Sequence, residues 1–342
     1  MKAVQIRAHG GIDVLEQVDV GEPTPRPDEV LIRVRACALN HLDLWVRAGI
    51  PGVQFAFPHI LGSDIAGEVV AVGESCHRVR PGMRALLAPG LSCRQCLRCF
   101  EGHDNECRDY KLFGAGVAGG YRERMTAPEY SVIPIPESLS FIEAAAVPLV
   151  YLTAWHMLRR RAALQPGEEV VVIAASSGVG MAAVQIAKLF QCRVVATAGG
   201  REKMERARAL GADAVVDHYS DDFALQLRQA TLRRGADVVL EHVGEATWKA
   251  AAAALGPSGR LVTCGATTGH EVSLDLRFLF ARQQSLLGSY MGTLADLHHV
   301  LRYVFEGKLK PVVDSVFPLT EVRAAHERLE SKKQFGKIVL EV

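Results

Sequence analysis

Four cysteines lie within fifteen residues of one another and form the densest group of potential metal ligands in the sequence. The segment GLSCRQCLRCFEGHDNEC separates them by three, three and eight residues, at Cys93, Cys96, Cys99 and Cys107. Each C-x-x-C turn can present two thiolates to one ion, and four thiolates leave no coordination position for water or a substrate. The pattern therefore predicts a structural zinc site. A redox dithiol is the alternative, although it requires only two cysteines.

A second motif has the composition of a buried strand, a Ser/Gly turn and a helix that begins near Val179: EVVVIAASSGVGMAAVQIAK, residues 169–188. Turn amides followed by a helix N-terminus create a positive concavity that suits a pyrophosphate. The glycine fingerprint of dinucleotide sites is incomplete, because Ala175 and Ser177 occupy its first two glycine positions. An ordinary strand–helix turn is therefore the alternative. The predicted phosphate-binding residues are Ser176, Ser177, Gly178, Val179 and Gly180.

The next apolar strand ends at Ala198, about twenty residues later, where such sites recognise the ribose. A site for NAD usually has Asp or Glu at this point, but the sequence here is ATAGGREK. Small residues at Ala198 and Gly199 leave room for a 2′-phosphate, and Arg201 and Lys203 can neutralise it. The segment therefore predicts NADP(H). The alternative is that Arg201 and Lys203 are solvent-exposed residues at the start of a helix and bind no ligand.

These motifs lie in two regions of different texture. Residues 1–136 contain short Val/Ile/Leu-rich strands separated by Gly and Pro, with the cysteine lobe at 90–110, and residues 308–342 return to strand-like segments around one helix. Residues 137–307 alternate apolar strands with helical patterns, which is typical of a parallel sheet covered on both faces. The predicted fold class is α/β, with a β-rich domain (1–136 and 308–342) and a doubly wound domain (137–307).

Composition narrows the classes of function. The 342 residues are 49% hydrophobic and 23% charged, which excludes a largely disordered chain. Lys and Arg number 39 against 38 Asp and Glu, a balance that argues against a dedicated binder of nucleic acid or anionic membranes. No targeting segment is visible, and the longest uncharged stretch, 170–187, is interrupted by Ser and Gly. We expect a cytoplasmic enzyme with a small-molecule substrate.

Together these features resemble the medium-chain dehydrogenase/reductase superfamily over nearly the whole chain. The motifs are Asn40-x-x-Asp43, GSDIAGEVVAVG from Gly62, the cysteine lobe, GGYRE from Gly119, EAAAVPLVYLTAW from Glu143, the turn at 176–180 and the terminal FGKIVL. The resemblance implies a GroES-like catalytic domain, a Rossmann domain and a homodimer or homotetramer. It also implies that further residues contact the cofactor: Thr153, Cys264, Gly265, Leu287, Gly288, Ser289 and, near the phosphates, Lys337.

The chain departs from the zinc alcohol dehydrogenases of this superfamily at the catalytic metal. The three positions of the family's zinc ligands are occupied by Asn40, Ser63 and about Val147, none of which is a good zinc ligand. Asn40, Asp43 and the GSD segment instead resemble the zinc-free quinone oxidoreductases and 2-enoyl reductases. The resemblance implies NADPH-dependent reduction of activated C=C bonds (enones, quinones, 2-enoyl compounds) without catalytic zinc.

In that reading Asn40 orients or stabilises the developing oxyanion, and Asp43 is the second catalytic candidate; a capping or loop amide is the alternative for Asn40. The proton donor stays open among His41, Asp43, Tyr151 and water. A metal site of unusual composition at His41, Asp43, His59 and Asp64 is a further alternative. At the level of function, the alternatives are an alcohol dehydrogenase or carbonyl reductase and a non-catalytic NADPH-binding protein.

Overall fold

The structure is a computed structural model, and it describes residues 1–231 and 234–342. Its contacts divide the chain into two units, the first comprising Met1–Leu149 and Lys310–Val342, and the second Val150–Leu309. The division after Leu149 lies further along the chain than the boundary expected at 136. The first unit therefore includes a short helix and the start of the next one.

Residues 1–149 contain nine strands and four helices in the part that the structure describes, the last helix crossing into the second unit. In chain order they are β1 Lys2–Gln5, β2 Glu16–Asp19, β3 Glu29–Ala38, α1 His41–Ala48, β4 Asp64–Val72, β5 Arg84–Leu87, β6 Gly90–Leu91, α2 Leu97–Phe100, β7 Lys111–Leu112, β8 Arg124–Pro128, β9 Val132–Pro134, α3 Phe141–Ala145 and α4 Pro148–Trp155.

The remaining elements alternate strand with helix. They are β10 Glu169–Val172, α5 Gly178–Leu189, β11 Arg193–Ala198, α6 Arg201–Ala209, β12 Ala214–Asp217, α7 Phe223–Ala230, β13 Ala236–Glu241, α8 Glu245–Ala253, β14 Leu255–Thr263, α9 Leu276–Ala281, β15 Ser285–Gly288 and α10 Leu294–Phe305. The chain ends with β16 Val313–Pro318, α11 Val322–Glu330 and β17 Lys337–Glu341. A π-helical segment, His156–Arg161, continues α4.

The first unit is built on a seven-stranded sheet in the order β16-β17-β3-β4-β5-β9, with β8 also paired to β3. β3 is the longest strand, and nearly all of its residues are buried because β4, β8 and β17 pair with it. β17 comes from the last residues of the chain and lies antiparallel to β3, with Val339 opposite Ala38. On the other side of β3, Asp64 lies opposite the same residue. The ends of three strands that are distant in sequence therefore meet.

The second unit is a six-stranded, wholly parallel sheet in the order β12-β11-β10-β13-β14-β15. β10 is buried along its whole length, as expected for an apolar central strand with helices on both faces. The order reverses direction at β10, which has β11 on one side and β13 on the other. This is the Rossmann order, in which a ligand binds outside the carboxyl ends of the strands at the reversal.

Predicted and observed elements differ mainly at their ends. The sequence predicts a strand to Ala174 and a helix from about Val179, whereas β10 ends at Val172 and α5 begins at Gly178. Ala174 adopts a positive φ of 53°, which breaks the extended backbone before the turn. Among the helices of the described residues, none is both long enough and apolar enough to span a bilayer.

Candidate active site

Asn40 is the residue that precedes α1, and its main chain is tied to Asp43. The N–H of Asn40 donates to Asp43 Oδ2 at 2.7 Å, and the N–H of Gly62 donates to Asp43 Oδ1 at 2.9 Å. Asp43 is buried, and this burial raises the pKa of its carboxyl to about 6 although both backbone N–H groups oppose the shift. The carboxylate therefore fixes the loop before α1 to the segment at Gly62.

The side-chain amide of Asn40 is held by two charged residues. Asn40 Oδ1 accepts a hydrogen bond from Lys337 Nζ at 2.6 Å, and Asn40 Nδ2 donates to Asp64 Oδ2 at 2.9 Å. Lys337 Nζ also donates to Asp64 Oδ2 at 2.8 Å, which closes a triangle of three buried side chains. The second Asp64 oxygen accepts from the N–H of Leu149 at 2.7 Å. We call Asn40, Asp64 and Lys337 the amide triad.

Sequence reasoning considered Asp64 as part of the GSD segment and as a possible metal ligand, and it considered Lys337 as a cofactor residue. The structure brings both to Asn40 within the first unit, and the Lys337 contact to a cofactor phosphate stays a prediction. A signal was present in the sequence, because Asp64 and Lys337 are each a charged residue at the start of a strand and are followed directly by apolar residues. Charges in such positions are expected to be paired when the strand is buried.

The other two positions of the family's catalytic zinc ligands hold no metal-binding group. Ser63 is fully buried and its hydroxyl donates to the carbonyl of Phe113 at 2.6 Å, while Val147 is a fully buried apolar side chain. His59 Nε2 contacts the carbonyl of Gly114 at 3.0 Å. Among residues 1–231 and 234–342, the one group of at least three His, Cys, Asp or Glu side chains close enough to share an ion is the cysteine lobe. His41, Asp43, His59 and Asp64 do not form one.

The cysteine lobe brings its four sulfurs within 4.8 Å of one another. Cys93 and Cys99 Sγ lie 4.0 Å apart, and Cys96 and Cys99 Sγ lie 3.6 Å apart. A tetrahedral zinc thiolate site with bonds of about 2.3 Å requires sulfur separations of roughly 3.8 Å, so the residues fit this ion.

In the second unit, several of the predicted cofactor residues lie at or just after the carboxyl ends of the parallel strands. The register pairs Thr263 at the end of β14 with Glu241 of β13 and with Gly288 of β15, and it pairs Ala198 of β11 with Asp217 of β12. The carboxyl ends of these strands therefore lie at a common edge. This is the edge at which a doubly wound sheet binds its ligand.

The turn between β10 and α5 is fixed by a helix cap and by one close backbone approach. The Ser177 hydroxyl accepts the N–H of Gly180 at 2.9 Å and so caps α5, the 12-residue helix that begins at Gly178. A Cβ on Gly180 would lie 2.3 Å from the carbonyl oxygen of Ala174, so only glycine allows this close approach. Ser176 and Val179 complete the turn, whose amides at the helix N-terminus suit a phosphate.

His242, which follows β13, contacts Ser177 in this turn, and sequence reasoning did not identify it. Its Nε2 lies 3.1 Å from Ser177 Oγ, and burial lowers the pKa of His242 to about 4. The imidazole is therefore neutral near pH 7 and can share the Ser177 proton. Its position after an apolar strand, at the reversal of strand order, is the signal that could have identified it.

The loop after β11 contains small residues where an acid would bind a ribose. Ala198 is fully buried, and a Cβ on Gly199 would lie 2.1 Å from the ring of Tyr219. The Arg201 side chain is 93% exposed and pairs with Glu205 at 2.8 Å. Lys203 follows on the same helix, α6. Asp217, a neighbouring acid that sequence reasoning did not weigh, accepts the N–H groups of Gly200 and Tyr219 through its two oxygens.

Two predicted nicotinamide-contacting residues have hydroxyls without partners among the described residues. These are the buried Oγ1 of Thr153 and the buried Oγ of Ser289. Buried polar atoms are usually hydrogen-bonded, so two unpaired hydroxyls at predicted cofactor positions fit a bound ligand. The other predicted residues lie at the ends of β14 and β15: Cys264, Gly265, Leu287 and Gly288.

Comparisons with known proteins agree with this architecture. Residues 26–137 match the family model of the alcohol dehydrogenase GroES-like domain, and residues 178–306 match that of the zinc-binding dehydrogenases. A quinone oxidoreductase of Pseudomonas aeruginosa is 30% identical over 351 residues, which cover 99% of each chain. A solved NAD-dependent alcohol dehydrogenase is 46% identical, with complete coverage of both chains and a TM-score of 0.97. The chain belongs to the medium-chain dehydrogenase/reductase superfamily.

The predicted fold class, with a GroES-like domain and a Rossmann domain, is confirmed by these matches. Membership of the medium-chain superfamily also confirms that the protein is an oxidoreductase. A more distant solved relative is a crotonyl-CoA carboxylase/reductase in complex with NADP, which is 26% identical with a TM-score of 0.91, and the match covers 100% of this chain and 94% of that chain. The relatives therefore include enzymes named for quinones, alcohols and enoyl thioesters.

Proposed function

We propose that this medium-chain dehydrogenase/reductase is an NADPH-dependent reductase of activated C=C bonds, in enones, quinones or 2-enoyl compounds. The observation that carries the proposal is the amide of Asn40, held by Asp64 and Lys337 at a position where zinc-dependent relatives place a metal ligand. An asparagine amide can donate a hydrogen bond but is a poor zinc ligand beside thiolate and imidazole. The site is suited to stabilise an oxyanion by hydrogen bonding.

The dinucleotide, when bound, supplies a hydride to the β-carbon of the substrate. Negative charge then develops on the conjugated oxygen, and a positioned N–H donor stabilises it. Asn40 Nδ2 carries two hydrogens, of which Asp64 accepts one in the described structure. The second N–H can serve the substrate oxygen. Oxidation of a simple alcohol would instead require a group that stabilises an alkoxide, and Ser63 and Val147 provide no metal ligand for that purpose.

Delivery of the proton is a separate task from stabilisation of the oxyanion. Asp43 has both carboxylate oxygens bound to backbone N–H groups, so its first role is to hold the Asn40 loop. With a pKa raised to about 6 by burial, part of the Asp43 population is protonated near neutral pH. The hydroxyl of Tyr151 is buried and accepts from Gln185 Nε2 at 3.0 Å. Asp43→Asn tests whether the carboxylate supplies a proton or only maintains the loop.

NADP(H) is proposed as the cofactor from the loop after β11. Neither Ala198 nor Gly199 offers a carboxylate for the ribose hydroxyls, and the exposed Arg201 guanidinium can exchange Glu205 for a 2′-phosphate. Named relatives include both an NAD-dependent enzyme and one in complex with NADP, so the local residues must decide. The Ser176–Gly180 turn would hold the pyrophosphate in either case.

One structural zinc per chain is proposed at Cys93, Cys96, Cys99 and Cys107. Four thiolates would complete a tetrahedron and so stabilise the lobe without taking part in the chemistry. Metal analysis of the purified protein should give one zinc per chain. A chelator too weak to remove a four-thiolate zinc should leave turnover unchanged. Two tightly bound zincs per chain would contradict the proposed metal-free active site.

The deciding experiment follows NADPH oxidation with a panel of enones, quinones, 2-enoyl thioesters, ketones and aldehydes, and the reverse reaction with alcohols. We expect the activated double bonds or quinones to give the highest kcat/KM. Asn40→Ala should lower kcat by about 10²-fold, as expected for the loss of one oxyanion donor. The matched control is Asn105→Ala, which removes the chain's other asparagine, located in the cysteine lobe.

An alcohol dehydrogenase or carbonyl reductase is the second candidate, because the 46% identical solved relative is described as an alcohol dehydrogenase. Efficient oxidation of simple primary alcohols, with no turnover of enones or quinones, would favour this candidate and reject the first. A protein that binds NADPH tightly but turns over no member of the panel would reject both.

A further inference from the structure

The amide triad joins residues that are far apart in the sequence. Asn40 and Lys337 are 297 residues apart, and Asn40 and Asp64 are 24 apart. We propose that the Asp64–Lys337 ion pair is a positioning device that selects one of the two orientations of the Asn40 amide, the one that leaves an N–H available to substrate. The inference rests on the proposed function insofar as the catalytic value of this orientation depends on Asn40 acting as an oxyanion donor.

The chemistry of the three groups permits only one orientation. A lysine ammonium only donates hydrogen bonds and an ionised carboxylate only accepts them. In the observed orientation Oδ1 faces Lys337 Nζ at 2.6 Å and Nδ2 faces Asp64 Oδ2 at 2.9 Å. Rotating the amide by half a turn would place NH2 against the ammonium and the carbonyl oxygen against the carboxylate. Both contacts would then be repulsive.

The backbone holds the two charged residues rigidly. Asp64 starts β4 and Lys337 starts β17, and these strands flank β3, which ends two residues before Asn40. Asp64 is fixed further because its Oδ1 accepts the N–H of Leu149. The Lys337 and Asp64 side chains are only 3% and 0% exposed, so water competes little with their contacts. A fixed amide avoids reorganisation when charge develops on the substrate.

The first test is a double-mutant cycle on kcat with Lys337→Met and Asn40→Ala. If the ion pair acts through the amide, Lys337→Met should lower kcat roughly tenfold in the native background and less than about twofold in the Asn40→Ala background. A dissociation constant of NADPH that changes less than about threefold would separate this positioning role from the phosphate contact that the family resemblance implies for Lys337. Lys337→Gln retains an N–H donor without the charge, and it should recover part of the lost kcat. It also replaces Lys337→Met if that variant fails to fold.

The second test observes the amide directly and needs no substrate. The sequence contains only two asparagines, Asn40 and Asn105, so ¹⁵N-asparagine labelling gives two side-chain NH2 pairs in an NMR spectrum. Asn40→Ala assigns them. Lys337→Met should shift or broaden the Asn40 pair and leave the Asn105 pair in place. The matched control is Arg328→Met, which removes the partner of the buried Asp314 carboxylate near β17 and should affect neither the Asn40 pair nor kcat.

The outcomes separate the inference from the proposed function. NMR signals of the Asn40 amide that are unchanged in both Lys337 variants would overturn the inference. A tenfold or greater rise in the NADPH dissociation constant would also overturn it, if the effects of Lys337→Met and Asn40→Ala on kcat are independent and multiply in the double variant. A shifted amide pair together with a native kcat in Asn40→Ala supports the positioning role and overturns the catalytic role assigned to Asn40. If the Asn40 amide signals shift and the effects of the two substitutions on kcat do not multiply, the positioning role and the catalytic role of Asn40 are both supported.

Discussion

Two sets of buried polar groups, one in each unit, are satisfied in opposite ways. In the first unit, the Asn40 amide, the Asp64 carboxylate and the Lys337 ammonium satisfy one another without any ligand. In the second unit, the buried hydroxyls of Thr153 and Ser289 have no partner among the described residues. The first arrangement fixes a donor before substrate arrives, whereas the second leaves hydrogen-bonding capacity for a group that must enter.

This difference has energetic consequences. A self-satisfied buried ion pair gains little relative to an apolar replacement of the whole set, but the loss of one partner leaves an uncompensated charge. An unpaired buried hydroxyl already lacks a hydrogen-bond partner in the ligand-free protein, so its removal should not destabilise the fold. Substitutions in the amide triad should therefore reduce stability, whereas substitutions of the two unpaired hydroxyls should reduce affinity for the cofactor.

The largest expected effect is the loss of stability in Asp64→Asn. This substitution keeps the shape of the side chain but leaves the Lys337 ammonium buried without a counter-ion, at a cost of about 3–5 kcal/mol. Urea denaturation should show this loss in the free energy of unfolding. Arg201→Ala, which removes a 93% exposed cation of the second unit, should change the same quantity by less than about 0.5 kcal/mol. Comparable losses in the two variants would contradict the cost assigned to a buried, unpaired Lys337 ammonium.

The parts of the molecule that sequence reasoning could predict are those in which local order suffices. Strand β10, the Ser177 turn and α5 are contiguous, so composition alone places the turn amides that are proposed to bind a phosphate. The amide triad could not be predicted in this way. Its contacts depend on β17 and β4 pairing with opposite edges of β3, and no local pattern shows which strands will be neighbours. The sequence identifies Asn40, Asp64 and Lys337 as residues of interest, but it does not show that they contact one another.

A second prediction tests the choice of dinucleotide in the second unit. Ala198→Asp should place a carboxylate where the 2′-phosphate of NADPH would lie. Like-charge repulsion of this kind costs several kcal/mol, so the ratio of NADPH to NADH affinity should fall by about 10²-fold. Ala198→Asn is the control, because it adds the same volume without the charge. Equal affinities for the two cofactors in the unmodified protein would reject the proposed preference for NADP(H).

A third prediction compares two buried histidines through the pH dependence of stability. His326, in the first unit, lies 3.1 Å from an Arg47 guanidinium nitrogen and 3.2 Å from the Tyr121 hydroxyl. Burial, and then the Arg47 charge, lower the pKa of His326 to about 3. His156, in the second unit, instead faces the Asp296 carboxylate at 2.8 Å.

Because the unfolded chain binds a proton at His326 near pH 6.5 and the folded chain does not until about pH 3, this residue's contribution is complete above pH 6.5 and is lost as the pH falls. Between pH 7 and pH 5 the loss is about 2 kcal/mol. Over this pH range, the free energy of unfolding should therefore fall by about 2 kcal/mol less in His326→Gln than in the native protein. His156→Gln is the control, because its imidazole faces the Asp296 carboxylate instead of a cation. Identical pH profiles for His326→Gln and the native protein would contradict the assigned cause.

The smallest expected effect is the loss of cofactor affinity in Thr153→Val. The substitution replaces a buried hydroxyl that has no partner among the described residues with a methyl group of similar shape. If this hydroxyl binds the dinucleotide, its removal should weaken NADPH binding by about 0.5–1.5 kcal/mol, roughly 2- to 10-fold in the dissociation constant measured by calorimetry. The stability of the ligand-free protein should stay the same or rise, because an unpaired polar group is removed.

Thr293→Val provides the opposite pattern, since Thr293 caps α10 by accepting the N–H of Asp296 at 3.0 Å. It should lose about 1 kcal/mol of stability and retain its affinity for NADPH. A Thr153→Val protein that is destabilised but binds NADPH normally would show that the second unit's hydroxyl serves the fold, as the first unit's polar groups do.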